Sequence, residues 1–323
     1  MYRNNFIFTF SDFNNIPEVG IYKKKKSREL IPCEEINIAH PKSKVIIRDF
    51  LNWLNKHNIA DIYNFDNNSG YLHNISVRNN NKNEFMLEIY LHHNEFVSEY
   101  VDKIKNFNFK SYNIISVYCQ IFDKHHDFRG SFFKIYGCDY LNYYFNNAVI
   151  SILPGTFFQT NNTVLFSMYQ NIADLLNKDS NIFLDLYCGV GVMSILANSY
   201  YDKCYGIEIN RNSIEIAKFN CRSNCINNID YICSPVENII YELLSKISDK
   251  VTIFINPPRS GLKKEVIIEL NKVKNYVNQI IYLSCSEKTL ERDLQLLNYN
   301  YEKINEFDMF NGTFHKEHLC ILN

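Results

Sequence analysis

The run Ile280-Ile281-Tyr282-Leu283-Ser284-Cys285-Ser286 ends an apolar, strand-like stretch on a cysteine, and a segment of helical pattern follows at once. A thiol at such a place could act as a nucleophile, because open α/β sheets gather their chemistry at the carboxyl ends of their strands. Two loops of the same kind lie upstream. Asp185-Leu186-Tyr187-Cys188-Gly189-Val190-Gly191 ends one apolar run, and Asn256-Pro257-Pro258-Arg259-Ser260-Gly261 ends another. Glycines at 189 and 191 would let backbone approach a ligand closely, with the start of a helix offering N–H groups. Glu208 ends the next apolar run about one βα unit later, where an acid typically accepts hydrogen bonds from ribose hydroxyls. The two prolines after Asn256 stiffen their loop and remove two N–H donors, which presents the Asn256 amide at a fixed place.

These loops need a scaffold, and the second half of the chain has the rhythm of one. Ile182–Leu186, Cys204–Ile209, Ile229–Cys233, Val251–Ile255 and Ile280–Leu283 are short apolar runs separated by helix-length segments. Continuous apolar strands alternating with helices predict a parallel sheet covered on both faces. Two closing strands, near Ile304–Asp308 and His318–Leu322, predict a hairpin turned at Asn311-Gly312. The fold class is therefore α/β, with the layout of a Rossmann-like methyltransferase domain over residues 153–323. A dinucleotide fold would carry the fuller Gly-x-Gly-x-x-Gly, but Ser194 stands at the third glycine.

Residues 1–152 read as a separate mixed α+β domain. Phe6–Phe10, Gly20–Tyr22, Leu72–Val77, Phe85–Leu91 and Ile114–Gln120 predict strands. Val45, Ile46, Phe50, Leu51, Trp53 and Leu54 recur at helical spacing, which predicts an amphipathic helix with Trp53 on its core face. The run Lys23–Lys26 fits either a lysine-blunted strand edge or a ridge that meets phosphates.

Composition narrows the class without choosing a substrate. The 323 residues are 46% hydrophobic and 21% charged, as in ordinary globular proteins, and no apolar run reaches the ~20 residues of a membrane span. Nothing at the amino terminus resembles a secretory signal, so a cytoplasmic protein with no membrane partner is expected. The ten cysteines are scattered, with no Cys-x-x-Cys pair, which favours reduced thiols over disulfides or zinc. A net charge of −1 neither predicts nor forbids RNA.

Taken in order, the segments Phe157-Phe158-Gln159-Thr160-Asn161, Asp185–Gly189, Gly206-Ile207-Glu208, Asn256–Gly261, Ser284-Cys285 and Asp308-Met309-Phe310 with Thr313, His315 and Glu317 resemble the RNA uracil-C5 methyltransferase family. Tyr2-Arg3-Asn4 and Pro32-Cys33 through His40-Pro41 resemble that family's middle domain, so the resemblance spans essentially the whole chain. It implies S-adenosylmethionine as methyl donor, no metal or iron–sulfur cluster, and a loop uridine of ribosomal or transfer RNA as substrate. It also implies roles. Cys285 adds to uracil carbon 6, and Glu317 removes the proton from carbon 5. Gln159, Tyr187, Gly189, Glu208 and Asn256 surround the donor, and residues 1–152 recognise the RNA. A monomer is expected.

The chain departs from the family in places. Asn256 stands where most relatives carry Asp, Ser286 where Asn is usual, and Asn311 where proline is usual. The front β-barrel domain and the iron–sulfur cysteines of many members are missing from the sequence. Two other readings compete. Amino-methyltransferases that act on adenine or guanine carry Asn-Pro-Pro followed by an aromatic, whereas Arg259 follows here. A non-catalytic RNA-binding protein would have no need of both Cys285 and Glu317.

Overall fold

Alternation of apolar and polar residues along the early strands, giving way to continuous apolar strands later, divides the chain into two differently built sheets. The computed structural model describes residues 2–13, 16–23, 29–64, 67, 69–93, 96–122, 131–246, 249–309 and 316–323. The expected turn at Asn311-Gly312, together with Phe310, Thr313, His315, Lys24–Lys26 and Arg28, lies outside these residues. The chain forms two units. The first comprises residues 1–142, 153–155 and 160–162, and the second comprises residues 143–152, 156–159 and 163–323.

The first unit contains β1 (Asn5–Phe13), β2 (Ile16–Tyr22), β3 (Leu30–Pro32), α1 (Pro41–Lys56), β4 (Leu72–Asn79), β5 (Phe85–His92), α2 (Val97–Ile104), β6 (Ile114–Phe122) and β7 (Phe132–Gly137). Its seven strands run in the order β3-β2-β1-β4-β5-β6-β7, all neighbours antiparallel except β5 and β6. Proline at the first position of α1 and the His40 ring accepting from the Lys42 N–H start that helix. Ile46, Ile47, Phe50, Leu51 and Leu54 then face the core, where they meet Phe8, Ile75, Leu87 and Val117 of the strands. Trp53 packs beside Phe50 and Phe107 at the margin of this core, as its helical phase predicts.

The second unit is the α/β layer expected from the apolar runs. After the short strands β8 (Leu141–Tyr144, of which residues 143–144 belong to this unit) and β9 (Val149–Ile152) and helix α3 (Asn162–Asp174, in this unit from residue 163), strands and helices alternate: β10 (Ile182–Leu186), α4 (Val192–Ala197), β11 (Lys203–Glu208), α5 (Arg211–Ser223), β12 (Ile229–Cys233), α6 (Val236–Ser245), β13 (Val251–Ile255), α7 (Lys264–Lys272), β14 (Val277–Ser284) and α8 (Glu287–Leu296). Strands β15 (Tyr301–Asp308) and β16 (Lys316–Leu322) close the chain. The sheet order is β12-β11-β10-β13-β14-β16-β15, parallel from β12 to β14. Between β10 and β13 the strand order reverses, and ligand crevices form outside the carboxyl ends at such a point.

Candidate active site

The parallel register brings the three sequence loops to one edge. Leu186 lies opposite Ile207 on β11 and Ile255 on β13, and Ile255 lies opposite Tyr282 on β14. Asp185 to Gly191, Glu208, Asn256 and Cys285 therefore leave the sheet side by side. Antiparallel β16 supplies the last member. It starts where β14 ends, with Ser284 opposite His318, so Glu317 arrives beside the thiol although 32 residues separate the two in sequence.

The glycine loop bends in a way few residues tolerate. Tyr187, Gly189 and Gly191 all have positive φ, at 65°, 55° and 82°. For Tyr187 that region is strained by about 1–2 kcal/mol. A Cβ on Gly189 would meet nothing within 4 Å, whereas one on Gly191 would collide with the Tyr231 hydroxyl. Gly189 thus lines open space, and Gly191 lets β12 approach closely. The Gly189 N–H donates to Glu208 Oε2 at 3.2 Å, and the Asn210 N–H donates to Glu208 Oε1 at 2.8 Å. Two backbone donors fix this carboxylate and leave further lone pairs for hydroxyls. On the neighbouring strand, the Asn256 N–H donates to the Leu186 carbonyl at 3.3 Å, which holds the loop at the sheet edge.

The start of α4 differs from the expectation of free N–H groups. Asp185 is fully buried, and its Oδ2 accepts from the Ser194 N–H at 2.9 Å and the Ser194 hydroxyl at 2.6 Å. Burial pushes this carboxyl up to about 7; the Ser194 bonds oppose the shift, and Glu208 adds to it. Ser194, read from sequence only as a missing glycine, satisfies the aspartate beneath the loop. The signal was an acid inside an apolar strand, which needs a nearby donor.

Cys285, the expected nucleophile, is solvent-exposed and stands just before Ser286 and α8. Ser286 caps that helix, its side chain accepting from the Thr289 N–H. Partial burial and then the Glu317 carboxylate push the Cys285 thiol up, while Arg259 opposes both. Glu317 itself is buried, at 6% exposure. Its Oε1 accepts from Gln159 Nε2 at 3.4 Å, and its Oε2 has no hydrogen-bond partner among the described residues. Burial raises this carboxyl to about 7 against the lowering effects of Gln159 and Arg259. A buried carboxyl with one oxygen unpaired and an ionisation near neutrality is poised to take up a proton.

Gln159, expected at the donor, thus touches the carboxylate on β16. Of the two phenylalanines before it, Phe158 is buried against Tyr143 with ring centroids 4.3 Å apart, and Phe157 is 70% exposed. Tyr187 packs at the margin of the apolar core of the unit.

The donor set fits an adenosyl group: a ribose-type acid at Glu208, open space at Gly189 and an amide at Asn256 at the switch point. The sequence model described as tRNA (uracil-5-)-methyltransferase matches residues 24–323. An uncharacterised RNA methyltransferase of Clostridium acetobutylicum is 30% identical over 332 residues, covering 99% of this chain and 71% of that protein. One from Clostridium tetani is 28% identical, covering 99% and 70%. Among solved structures, the Pyrococcus abyssi tRNA (uracil-54, C5)-methyltransferase in complex with S-adenosyl-L-homocysteine superposes with a TM-score of 0.81 at 21% identity, over 100% of this chain and 76% of that one.

Proposed function

This chain belongs to the tRNA (uracil-5-)-methyltransferase family, and from that premise we propose that Cys285 and Glu317 are the nucleophile and base that form 5-methyluridine in a folded RNA. It is an S-adenosylmethionine-dependent RNA methyltransferase. S-adenosylmethionine supplies an electrophilic methyl group when bound, and Gly189, Glu208 and Asn256 would hold it, with Tyr187 beside them.

Uracil carbon 5 is a weak nucleophile until the ring is opened electronically. The Cys285 thiolate adds to carbon 6, forming an S–C bond and moving the electron pair of the double bond into an enolate, which makes carbon 5 carbanion-like. Once carbon 5 bears both hydrogen and methyl, Glu317 accepts that proton. The electron pair left behind restores the 5,6 double bond and expels the thiolate. Gln159 fixes Glu317 Oε1 and so leaves Oε2 for the proton. That unpaired, buried oxygen is the observation that carries the reading. Carbons 5 and 6 must be reached from both faces, so the uridine is extruded from its stack, at a cost of a few kcal/mol that is least in a loop.

The substrate is a loop uridine of transfer or ribosomal RNA, and residues 1–152 form the recognition domain. RNA carrying 5-fluorouridine is the direct test, because fluorine cannot leave as a proton does and the enzyme stays bonded to carbon 6. Wild type should give a denaturation-resistant adduct and Cys285→Ala none, with RNA binding intact. Methyl transfer that persists in Cys285→Ala refutes the mechanism. Mapping 5-methyluridine in cellular RNA with and without the gene identifies the target.

A further inference from the structure

We infer that Asn220, inside α5, is a positioning residue for donor binding, because its amide fixes the Val190–Gly191 peptide of the glycine loop; this deepens the donor site proposed above and rests on Gly189 and Glu208 forming it. Asparagine is a poor choice for a helix interior, and Asn220 has no exposed surface, so its amide needs partners. It finds three. Its Oδ1 accepts from the Ser151 N–H at 2.8 Å, and its Nδ2 donates to the Ser151 carbonyl at 3.1 Å and to the Val190 carbonyl at 3.2 Å. The reverse orientation of the amide would set its oxygen against two carbonyls, so these bonds also fix which way it points.

Asn224, one turn on at the C-cap of α5, makes a matching set one step along β9. Its Oδ1 accepts from the Val149 N–H at 2.9 Å, and its Nδ2 donates to the Val149 carbonyl at 2.8 Å and the Asn220 carbonyl at 2.7 Å. Four residues of helix advance about 6 Å and two residues of strand about 6.6 Å, so two amides on α5 can meet alternate residues of β9 as a neighbouring strand would. Both asparagines thus share the docking of β9. Of the two, Asn220 alone bonds to the glycine loop.

That one bond falls where the loop is freest to change. Gly189 and Gly191 flank Val190, and glycine takes either sign of φ at little cost, so the peptide between them could turn over. It is held at both ends. The Gly191 N–H donates to the Cys188 carbonyl at 2.9 Å, while the Val190 carbonyl accepts from Asn220. The same helix grips the other side of the loop: the N–H of Asn210, the N-cap of α5, donates to Glu208, which accepts in turn from the Gly189 N–H. Helix α5 therefore joins the ribose-type acid to the peptide beyond Gly189, and a donor would meet a loop already set in its binding shape.

Calorimetric binding of S-adenosylhomocysteine to the full chain, without RNA, is the test. Asn220→Ala should weaken the Kd about tenfold, since the loop must then be ordered on binding. Asn224→Ala loses as many side-chain bonds around β9 and should stay within about twofold of wild type. Glu208→Ala, which removes the acid itself, should lose more than either. Equal weakening in the two asparagine variants overturns the role of Asn220, and so does wild-type binding in Asn220→Ala while Glu208→Ala fails. Wild-type binding in Glu208→Ala overturns the donor site and the role of Asn220 with it. Should Asn220→Ala not fold, amide exchange in the wild-type protein reads the same coupling, because coupling is reciprocal. Bound S-adenosylhomocysteine should slow exchange of the Ser151 N–H about fivefold more than that of the Val149 N–H; equal slowing at both overturns the proposal.

Discussion

Both units bury a seven-stranded sheet, yet they put polarity in opposite places. In the first unit the strands alternate. Ile75 and Val77, Leu87 and Ile89, Val117 and Cys119 point into the core shared with α1 and α2, while Ser76, Arg78, Glu88, Ser116 and Gln120 occupy the other phase of the same strands and are buried as well. Arg78 Nε lies 2.7 Å from Glu88 Oε1, and the Tyr90 hydroxyl and the Gly155 N–H also donate to Glu88. In the second unit the strand interiors are apolar on both faces, as at Leu184, Ile253, Phe254, Ile280 and Ile281. Apart from Asp185, held by Ser194, its site carboxylates and thiol stand at strand ends. An apolar parallel sheet moves chemistry to its edge, where a ligand can reach it. A sheet with a buried polar face holds its charges in pairs that act on structure.

Removing one partner of the interior pair should therefore have the largest effect on stability. Arg78→Ala leaves Glu88 buried without its cation and is expected to destabilise by about 3–5 kcal/mol in urea unfolding. The double replacement Arg78→Met with Glu88→Leu removes both charges and should recover most of that loss. A loss below about 1 kcal/mol in the single variant would mean that the polar face is open to water, and the contrast between the units would fail.

The edge carboxylate should instead betray itself through pH. Glu317 ionises near 7 in the folded protein, above its unfolded value near 4.3. Between those values the folded state keeps a proton that the unfolded chain has released, so stability is greater on the acid side and falls as pH rises through the window. The slope is about 1.4 kcal/mol per pH unit for one such group, or ~4 kcal/mol in all. Asp185 contributes in the same window and direction. Glu317→Gln should flatten the wild-type slope by one group's share, read from urea midpoints at several pH values. Activity runs the other way. A base must be unprotonated, so methyl transfer should climb with pH through about 7 and lose that limb in Glu317→Gln. A wild-type slope that survives the substitution would place the proton elsewhere.

How much of this could be read in the sequence follows from the same contrast. Apolar runs mark parallel strands, so β10 to β14 are legible in the sequence, and with them the place of the glycine loop, Glu208, Asn256 and Cys285 at the carboxyl ends. Only Ile209 was misplaced, since β11 stops at Glu208 and Ile209 is 66% exposed. The polar face of the first sheet was not legible, because local alternation looks the same whether the polar phase meets water or protein. The bond between Gln159 and Glu317 was equally hidden, since no local pattern encodes a contact across 158 residues. Helix α3 carries a signal of its own in the sequence: Leu165, Met168, Tyr169 and Ile172 recur at spacings of three and four and are all buried.

The smallest effect concerns the departure at position 286. Its side chain is the cap of α8, accepting from the Thr289 N–H, and α8 is the helix that follows Cys285. Serine and asparagine are both strong capping residues, because each carries a short side-chain oxygen that reaches the second or third N–H. Ser286→Asn should change stability by no more than about 0.5 kcal/mol. Ser286→Ala removes the acceptor and should cost about 1 kcal/mol in urea unfolding. If asparagine proves as damaging as alanine, the hydroxyl is doing something other than capping. Its neighbour Ser284 would then be the first place to look, because Ser284 Oγ exchanges bonds with the Ser286 backbone at 3.1 and 3.2 Å and shapes the turn that carries the thiol between them.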